Sequence, residues 1–492
     1  MNYPIIAKLL SVIISTVALA FIASFFVGEV FYGEVDDAAR EEWLISIAIA
    51  LILSIIMAFL GRAARPKMFR KEALATIGLG WILASLLGAI PYYLILPDST
   101  FADGVFESAS GFTTTGASVY GDLSIFPRGL LFWRCLSQWI GGLGVVVFFV
   151  AILSFLGAGA KILYSHESSG TSTDIESGRI QQGVLQILYL YLALSAACAL
   201  ILRALGMSWY DAVCHMFATL STGGFGVYNS SLGAFPSPAI QWTVIVFMAL
   251  GGTSFFVLLR VMQGRFRALF TNTEVIAYYS IIGISTLMLT LMLMTELGHG
   301  ATDWEASLRA AAFQTVSIMT TTGFSTVDYQ QWLPVGHMLL LFLMVIGGCS
   351  GSTGGGAKVV RIVVAFKVCR LQIEKAYRTR VVRPLHINGK VLDKDDQDSI
   401  VTWLLLLFLV LTGGIMIVAL LEHSLGFTAQ VTSVFACLFN IGPGLAEVGP
   451  TQNYGFLREP TKLVLSLLMI LGRLELYAVL VLFSPALWKR FS

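Results

Sequence analysis

The chain has 492 residues, of which 57% are hydrophobic and only 12% are charged, and its formal net charge is +2. This composition excludes an ordinary soluble globular protein, in which about a quarter of the residues are charged, and predicts a protein embedded in membrane lipid. A net charge so close to zero, with the basic residues spread among loops, indicates no nucleic-acid partner.

The apolar runs predict an all-α membrane protein, because about ten of them approach the roughly 20 residues that a spanning helix needs. The first two, residues 9–27 and 45–60, form a two-helix N-terminal extension at 1–70. No small-residue cleavage site follows the first run, so we interpret it as a mature span. The loop between the two is acidic and the linker 61–71 is basic, which predicts cytoplasmic N and C termini under the positive-inside rule.

Four copies of a short motif divide the rest of the chain into repeats. Each copy ends in glycine and closes an apolar segment that is too short to span a bilayer. The copies are residues 109–116, 216–223, 316–323 and 435–442. A longer apolar run flanks each segment on both sides, so the repeating unit is helix, half-helix, loop, helix. The predicted repeats are 71–157, 183–267, 275–375 and 398–485.

Each predicted half-helix opens with an aromatic residue beside a polar residue that could cap it. The pairs are Phe101 with Asp103, Trp209 with Asp211, Trp304 with Asp303, and Phe427 with Thr428. A half-helix is tolerated in a membrane only where its exposed backbone lines a cavity or is enclosed by protein. Four half-helices therefore predict one shared pore on a pseudo-fourfold axis, and their converging C-terminal dipoles favour a cation there.

The segment endings have the residue types that an ion filter needs. Glycine permits the backbone conformations that turn successive carbonyl groups towards an axis, and small hydroxyl side chains suit a packed filter wall. A glycine-capped helix end is the ordinary alternative for one copy, but four evenly spaced copies favour a filter. The fourth copy departs from the pattern at Asn440 and Ile441. The candidate filter residues are Thr114, Thr115, Gly116, Ser221, Thr222, Gly223, Thr321, Thr322, Gly323, Asn440, Ile441 and Gly442.

A glycine-rich run at 347–358 interrupts the second long helix of repeat 3, and so many glycines predict a break in that helix. A phosphate-binding loop is excluded because Val359 follows Lys358 where that motif requires Ser or Thr. Close helix packing through small residues remains open beside a role as a gate. The candidate gate residues are Gly347, Gly348, Ser350, Gly351, Ser352, Gly354, Gly355, Gly356 and Lys358.

Arg473 is a further gate candidate, since it stands in repeat 4 where Gly142, Gly252 and Gly348 stand in the others. An arginine inside a span is costly, so it faces either a cavity or an acidic partner, for which Glu475 is the nearest candidate. Among the remaining polar residues, we expect His215 to pack behind the filter and Glu107 to support its wall. Arg134, Asp211, Arg203 and Arg309 are expected to reach the membrane surface from span ends.

The four filter segments, the glycine-rich run and the LGRLE segment at 471–475 resemble the Trk/Ktr/HKT superfamily of potassium transporters, and most closely its bacterial TrkH branch. The resemblance implies potassium uptake across a bacterial inner membrane, with K⁺ as the transported ion and no organic cofactor. It assigns one filter glycine per repeat, namely Gly116, Gly223, Gly323 and Gly442. Plant relatives that prefer sodium carry serine at the first of these positions, so Gly116 favours potassium.

The same resemblance implies that residues 347–358 form an intramembrane gate loop and that Arg473 lies beside the ion path. It also implies a homodimer and a cytoplasmic nucleotide-binding ring, a TrkA-type protein, that docks on the basic inner face. The alternative is a proton- or sodium-coupled symporter, which needs deep carboxylates, and only Glu107 and Glu475 are candidates. An enzyme is not predicted, because no catalytic motif occurs in any span. The six cysteines lack paired spacing and predict neither a disulfide nor a metal site.

Overall fold

The structure is a computed structural model that describes residues 1–31, 37–64, 69–155, 177–296, 304–378 and 383–488. Helices dominate this part of the chain, and its strands form one short hairpin, β1 (Leu385–Ile387) and β2 (Lys390–Leu392). The helices up to the third half-helix are α1 (Tyr3–Phe26), α2 (Asp37–Leu60), α3 (Arg70–Gly88), α4 (Ile90–Ile95), α5 (Phe101–Phe112), α6 (Arg128–Phe155), α7 (Ser177–Ala204), α8 (Trp209–Leu220), α9 (Pro238–Gly251), α10 (Phe255–Met262), α11 (Arg267–Thr271), α12 (Thr273–Glu296) and α13 (Trp304–Met319). The remaining helices are α14 (Pro334–Ile346), α15 (Val359–Tyr377), α16 (Lys394–Leu421), α17 (Phe427–Leu438), α18 (Glu459–Arg473), α19 (Tyr477–Leu480) and α20 (Pro485–Trp488).

The order long helix, half-helix, second helix occurs four times after α1 and α2. The half-helices are α5, α8, α13 and α17. The extension packs against the first unit, where Phe21 of α1 makes edge-on ring contacts with Trp43 and Trp133 at centroid distances of 6.1 and 4.7 Å. These buried rings join α2, α1 and α6 into one hydrophobic core.

Six helices in the described segments are long and apolar enough to cross a membrane, or eight if each of two bent helix pairs counts as one span. The sequence predicts about ten, and breaks account for part of the difference, because apolar length alone does not register them. The second helix of the unit is bent by 105° between α9 and α10 and by 117° between α18 and α19. In the third unit the predicted break is confirmed, since α14 ends at Ile346 and α15 begins at Val359.

The half-helix starts differ from the predicted caps. Thr100 and Ser208 are the N-caps of α5 and α8, and their hydroxyl groups accept the backbone N–H of Asp103 and Asp211 at 3.2 and 3.0 Å. The two aspartates therefore stand three residues inside, where a carboxylate favours a helix N-terminus. Thr428 does not cap α17, whose N-cap is Gly426. Asp303 lies outside the described residues.

Candidate functional site

The four half-helices end in the same backbone path. In each case two residues with positive φ, separated by one residue, follow the last helical turn. The pairs are Thr114 and Gly116, Thr222 and Gly224, Thr321 and Gly323, and Asn440 and Gly442. The residue between each pair donates its N–H back to the half-helix at 2.8 Å in every copy, so the four segments have equivalent geometry.

This equivalence corrects the predicted alignment of the second copy. Gly224, and not Gly223, has the φ of +81° that matches the +82° of Gly116. Gly223 donates its N–H to the carbonyl of Ala218, as Thr115 does to that of Ser110, so it takes the place of Thr115. The sequence contains two consecutive glycines here and the prediction chose the first. The end of α8 at Leu220 determines which one is equivalent.

The segments close into a ring in chain order. A Cβ atom added at Gly116 would overlap the carbonyl oxygen of Gly223, and one added at Gly224 would overlap that of Thr322. The series continues from Gly323 to Ile441 and from Gly442 back to Thr115. Both the positive φ and this close approach exclude a side chain at the four positions. A cavity of about 140 Å³ is lined jointly by Gly116, Gly224, Gly323 and Gly442.

The half-helix ending of each unit forms one wall of this ring, and contacts between hydroxyl groups support two of the four walls. Thr113 Oγ1 contacts Thr115 Oγ1 at 2.7 Å, and Thr320 Oγ1 contacts Thr322 Oγ1 at the same distance. The fourth wall, where the sequence departs, is joined to the first by Asn440, whose Nδ2 donates to Thr115 Oγ1 at 3.0 Å. Asn440 Nδ2 also donates to the carbonyl of Met469 at 2.8 Å. The unusual asparagine is therefore part of the ring closure.

A buried ion pair supports the chain just beyond the ring. Arg134 Nε lies 2.5 Å from Glu107 Oε1, and both side chains are almost fully buried. Glu107 also accepts the N–H of Val119 at 3.1 Å, while Arg134 Nη1 donates to the carbonyl of Gly226 at 2.9 Å. The expectation that Arg134 reaches the membrane surface is wrong, because its guanidinium joins Glu107 of unit 1 to the segment that follows the ring in unit 2. Glu107 has the expected supporting position.

The other polar residues singled out have structural contacts. His215 Nδ1 lies 2.8 Å from the carbonyl oxygen of Asp211, and the ring packs against Phe235 and Phe324. Arg309 forms an ion pair with Glu305 one helical turn away. His215 is thus enclosed by aromatic rings behind the ring of glycines, as expected.

The glycine-rich residues 347–358, which we call the intramembrane loop, lie against the C-terminal ends of three half-helices. Thr353 Oγ1 donates to the carbonyl of Leu220 at 3.0 Å, and the N–H of Gly355 donates to Thr321 Oγ1 at 2.6 Å. A Cβ atom added at Gly355 would lie 2.6 Å from the carbonyl oxygen of Phe439. The loop therefore contacts units 2, 3 and 4 directly beneath the ring.

The loop also satisfies the backbone groups left open by the neighbouring helix break. Between α9 and α10, the carbonyl oxygens of Gly251 and Gly252 accept the N–H groups of Thr353 and Cys349 at 3.1 and 2.9 Å. In return, Phe255 donates its N–H to the carbonyl of Gly351 at 3.0 Å. Backbone polar groups must be paired inside a membrane, so the two irregular segments depend on each other.

A carboxylate that the sequence analysis missed binds both the loop and the first turn of the helix α15 that follows it. Glu274 Oε1 accepts the N–H of Ser350 at 2.7 Å and the N–H of Val360 at 3.2 Å. The expectation that Glu107 and Glu475 are the only deep carboxylates is wrong. Glu274 stands at the start of α12, where acidic residues ordinarily favour the helix dipole, so its place in the sequence does not indicate a contact with the loop. Only the fold brings it to the loop.

Arg473 lies beneath the loop, with 4% of its surface exposed. Its Nη1 donates to the carbonyl of Thr353 at 2.7 Å, while Nε and Nη2 have no hydrogen-bond partner among the described residues. The alternative of a salt bridge with Glu475 is wrong. Glu475 Oε2 lies 2.5 Å from Arg361 Nη2, and the Arg361 guanidinium also stacks over the Trp403 ring at 4.1 Å.

A protein-family model matches most of the chain. The model described as "TrkH: Cation transport protein" matches residues 40–490. The chain belongs to the TrkH family. This TrkH-family chain is 34% identical over 461 residues to the Trk system potassium uptake protein TrkH of Halomonas elongata, a match that covers 92% of this chain and 93% of that protein. It is 31% identical over 456 residues to the Trk system potassium uptake protein TrkH of Escherichia coli K12, with the same coverage.

A solved structure has the same fold as this TrkH-family chain. The crystal structure of the potassium transporter TrkH from Vibrio parahaemolyticus matches with a TM-score of 0.88 and 28% sequence identity, over 99% of this chain and 100% of that one. These findings confirm the predicted family and the predicted all-helical membrane fold. The chain is a multi-pass protein of the bacterial inner membrane. The orientation of the termini and the repeat boundaries stay predictions.

Proposed function

We propose that the chain takes up potassium ions across the inner membrane through the ring formed by the four half-helix endings. The observation that carries this proposal is the cyclic contact of Gly116, Gly224, Gly323 and Gly442 with carbonyl oxygens of the next wall. A ring of backbone carbonyl groups replaces the hydration shell of a cation. Relatives from Halomonas elongata and Escherichia coli are potassium uptake proteins by name, which supports potassium as the ion.

The intramembrane loop is the proposed gate, together with Arg473. The loop occupies the space beneath the ring, where any ion leaving the filter must pass, and Arg473 adds a positive charge next to it. Opening requires the contacts of Thr353 and Gly355 with the half-helix ends to break. Because each is a hydrogen bond between buried groups, the closed loop is stable until another interaction offsets the loss.

The proposed partner is a cytoplasmic TrkA-type nucleotide-binding ring that acts on a homodimer of this chain. Its docking surface is the basic segment that runs from α15 through the β1–β2 hairpin. This hairpin is linked to the gate: Asn388 Oδ1, at its turn, accepts the N–H of Thr273 at 2.6 Å, and Thr273 precedes Glu274, which binds the loop. Movement of the hairpin would therefore reach the loop through two adjacent residues.

A passive pore explains the deep carboxylates better than coupled symport does. A symporter needs a carboxylate that can bind and release a proton or sodium ion along the path. Glu107 is paired with Arg134, Glu475 with Arg361, and Glu274 accepts two backbone N–H groups. Each of these groups already holds a part of the structure, which favours uptake through a gated pore. Transport proteins in the family also support the expectation that the chain is not an enzyme.

The test is cation flux into liposomes that contain the purified full-length protein. We expect rubidium and potassium to enter much faster than sodium, with protein-free liposomes as the control. The Arg473→Ala variant is measured beside the wild type, because the closed gate lowers flux when the partner is absent. Equal flux of sodium and potassium through both proteins, or no cation flux through either, would contradict the proposed function.

A further inference from the structure

The second wall of the ring lacks a side chain that the other three walls have. The residue between the two positive-φ positions is Thr115, Thr322 or Ile441 in units 1, 3 and 4, but it is Gly223 in unit 2. The φ of Gly223 lies outside the left-handed region, so its backbone would accept a side chain. The three atoms nearest to a Cβ added there all belong to the amide of Gln138. The Gln138 amide thus fills the place of the missing side chain.

Gln138 also holds the backbone on both sides of Gly224. Its Nε2 donates to the carbonyl oxygen of Gly223 at 2.6 Å, and its Oε1 accepts the N–H of Phe225 at 3.1 Å. The opposite amide orientation would place oxygen against oxygen and N–H against N–H, so both contacts specify the same orientation. The side chain is fully buried, and no water is needed to complete the pair of bonds.

The equivalent positions in the other units do not carry an amide. Gln138 lies four residues before Gly142, and the same step before the equivalent residues Gly252, Gly348 and Arg473 leads to Met248, Met344 and Met469. All four side chains are buried. The four units therefore differ from one another at a single wall, the one that contains Gly223. Three walls have a side chain at this position and three of the equivalent helix positions are methionine, whereas the wall with Gly223 is bound by Gln138 of the first unit.

We propose that Gln138 is a positioning residue of the filter, which replaces the absent wall side chain at Gly223 and orients the Gly223 carbonyl for ion selectivity. This inference rests on the proposed function of the ring as a potassium filter. Two consecutive glycines, Gly223 and Gly224, have more conformational freedom than any other pair, so this wall needs an external restraint. The amide uses one lone pair of the Gly223 carbonyl oxygen and leaves the second for an ion.

The test measures potassium and sodium flux in liposomes for the wild type, Gln138→Met and the double variant Gln138→Met/Gly223→Thr. The single variant removes both hydrogen bonds, and we expect its potassium to sodium flux ratio to fall about tenfold or more, because two buried hydrogen bonds no longer orient this wall. The double variant has the residue types of Thr322 and Met248, the equivalent positions in the third wall and in α9, and we expect it to regain most of the ratio. Met344→Leu, at the same register without an amide, is the matched control and should change the ratio less than about twofold.

Thermal unfolding of each variant separates positioning from general stability, because a role in packing alone would lower the unfolding temperature without changing the flux ratio. An unselective wild type would overturn the proposed function and this inference with it. A selective wild type beside an equally selective Gln138→Met variant would overturn the inference alone. The inference is also wrong if the double variant remains as unselective as the single one while both fold like the wild type.

Discussion

Arg473 donates a hydrogen bond of 2.7 Å from Nη1 to the carbonyl oxygen of Thr353, so the helix break of the fourth unit holds the intramembrane loop of the third. The same threonine is bound from the opposite side, where its Oγ1 donates to the carbonyl of Leu220 at 3.0 Å. Thr353 is thus held between units 2 and 4. The loop of the third unit therefore joins units 2 and 4.

Replacement of Arg473 should open the gate. Arg473→Ala removes the bond to Thr353 and a positive charge from the ion path, and we expect potassium flux without the partner to rise about tenfold, as loss of a charge-assisted hydrogen bond implies. The measurement is rubidium uptake into liposomes. Arg458→Ala is the control, since Arg458 is exposed at the other end of α18. Flux at the wild-type level in Arg473→Ala would place the gate elsewhere.

A side chain at Gly116 should reduce ion selectivity. Gly116→Ser forces an L-residue into a φ of +82° and pushes its Cβ into the carbonyl of Gly223. The strain of roughly 1 to 2 kcal/mol should lower the potassium to sodium flux ratio by about tenfold. Gly233→Ala is the control, because the space beside Gly233 accepts a Cβ atom at ordinary contact distance. An unchanged flux ratio in Gly116→Ser would refute the filter assignment.

Glu274 should stabilise the closed loop. Glu274→Gln keeps the shape of the side chain but replaces the carboxyl oxygen that accepts the N–H groups of Ser350 and Val360 with an amide oxygen, and it adds an amide N–H that has no acceptor in the present contacts. We expect a several-fold rise in flux without the partner. Glu305→Gln tests whether any loss of an acidic side chain has this effect, since Glu305 is half exposed at the start of α13. Wild-type flux in Glu274→Gln would show that the carboxylate does not hold the gate.

Substitutions of Glu107 and Arg134 should have non-additive effects on the free energy of unfolding. Arg134→Met leaves Glu107 charged and buried without its partner, which we expect to cost about 3 to 5 kcal/mol of unfolding free energy. The double variant Glu107→Gln/Arg134→Met should recover most of this loss, because no isolated charge remains. The more exposed pair Arg309 and Glu305 serves for comparison and should contribute less than about 1 kcal/mol. Stability is measured by thermal unfolding in detergent for Glu107→Gln, Arg134→Met and the double variant. If the loss in the double variant equals the sum of the losses in the two single variants, the two residues are not coupled.

The sequence by itself determined the family, the helical membrane fold, the four half-helix endings and the break of the third unit's second helix. Each of these depends on local rules: the length of an apolar run, the residue types at a recurring turn, and the cost of glycine inside a helix. The break between Ile346 and Val359 was predictable for that reason. Recurrence of the four endings also favoured an ion filter over ordinary helix caps, and that assignment stays a prediction.

Only the tertiary structure decided which residues meet. Two adjacent glycines are equivalent in sequence, so the geometry at the end of α8 was needed to align Gly224 with Gly116. Buried charges could pair with several candidates, and the fold selected Glu107 for Arg134 and Thr353 for Arg473. These contacts join residues far apart in the chain, where periodicity and spacing carry no information. Their energies depend on burial and hydrogen-bond geometry, which exist only once the helices have packed.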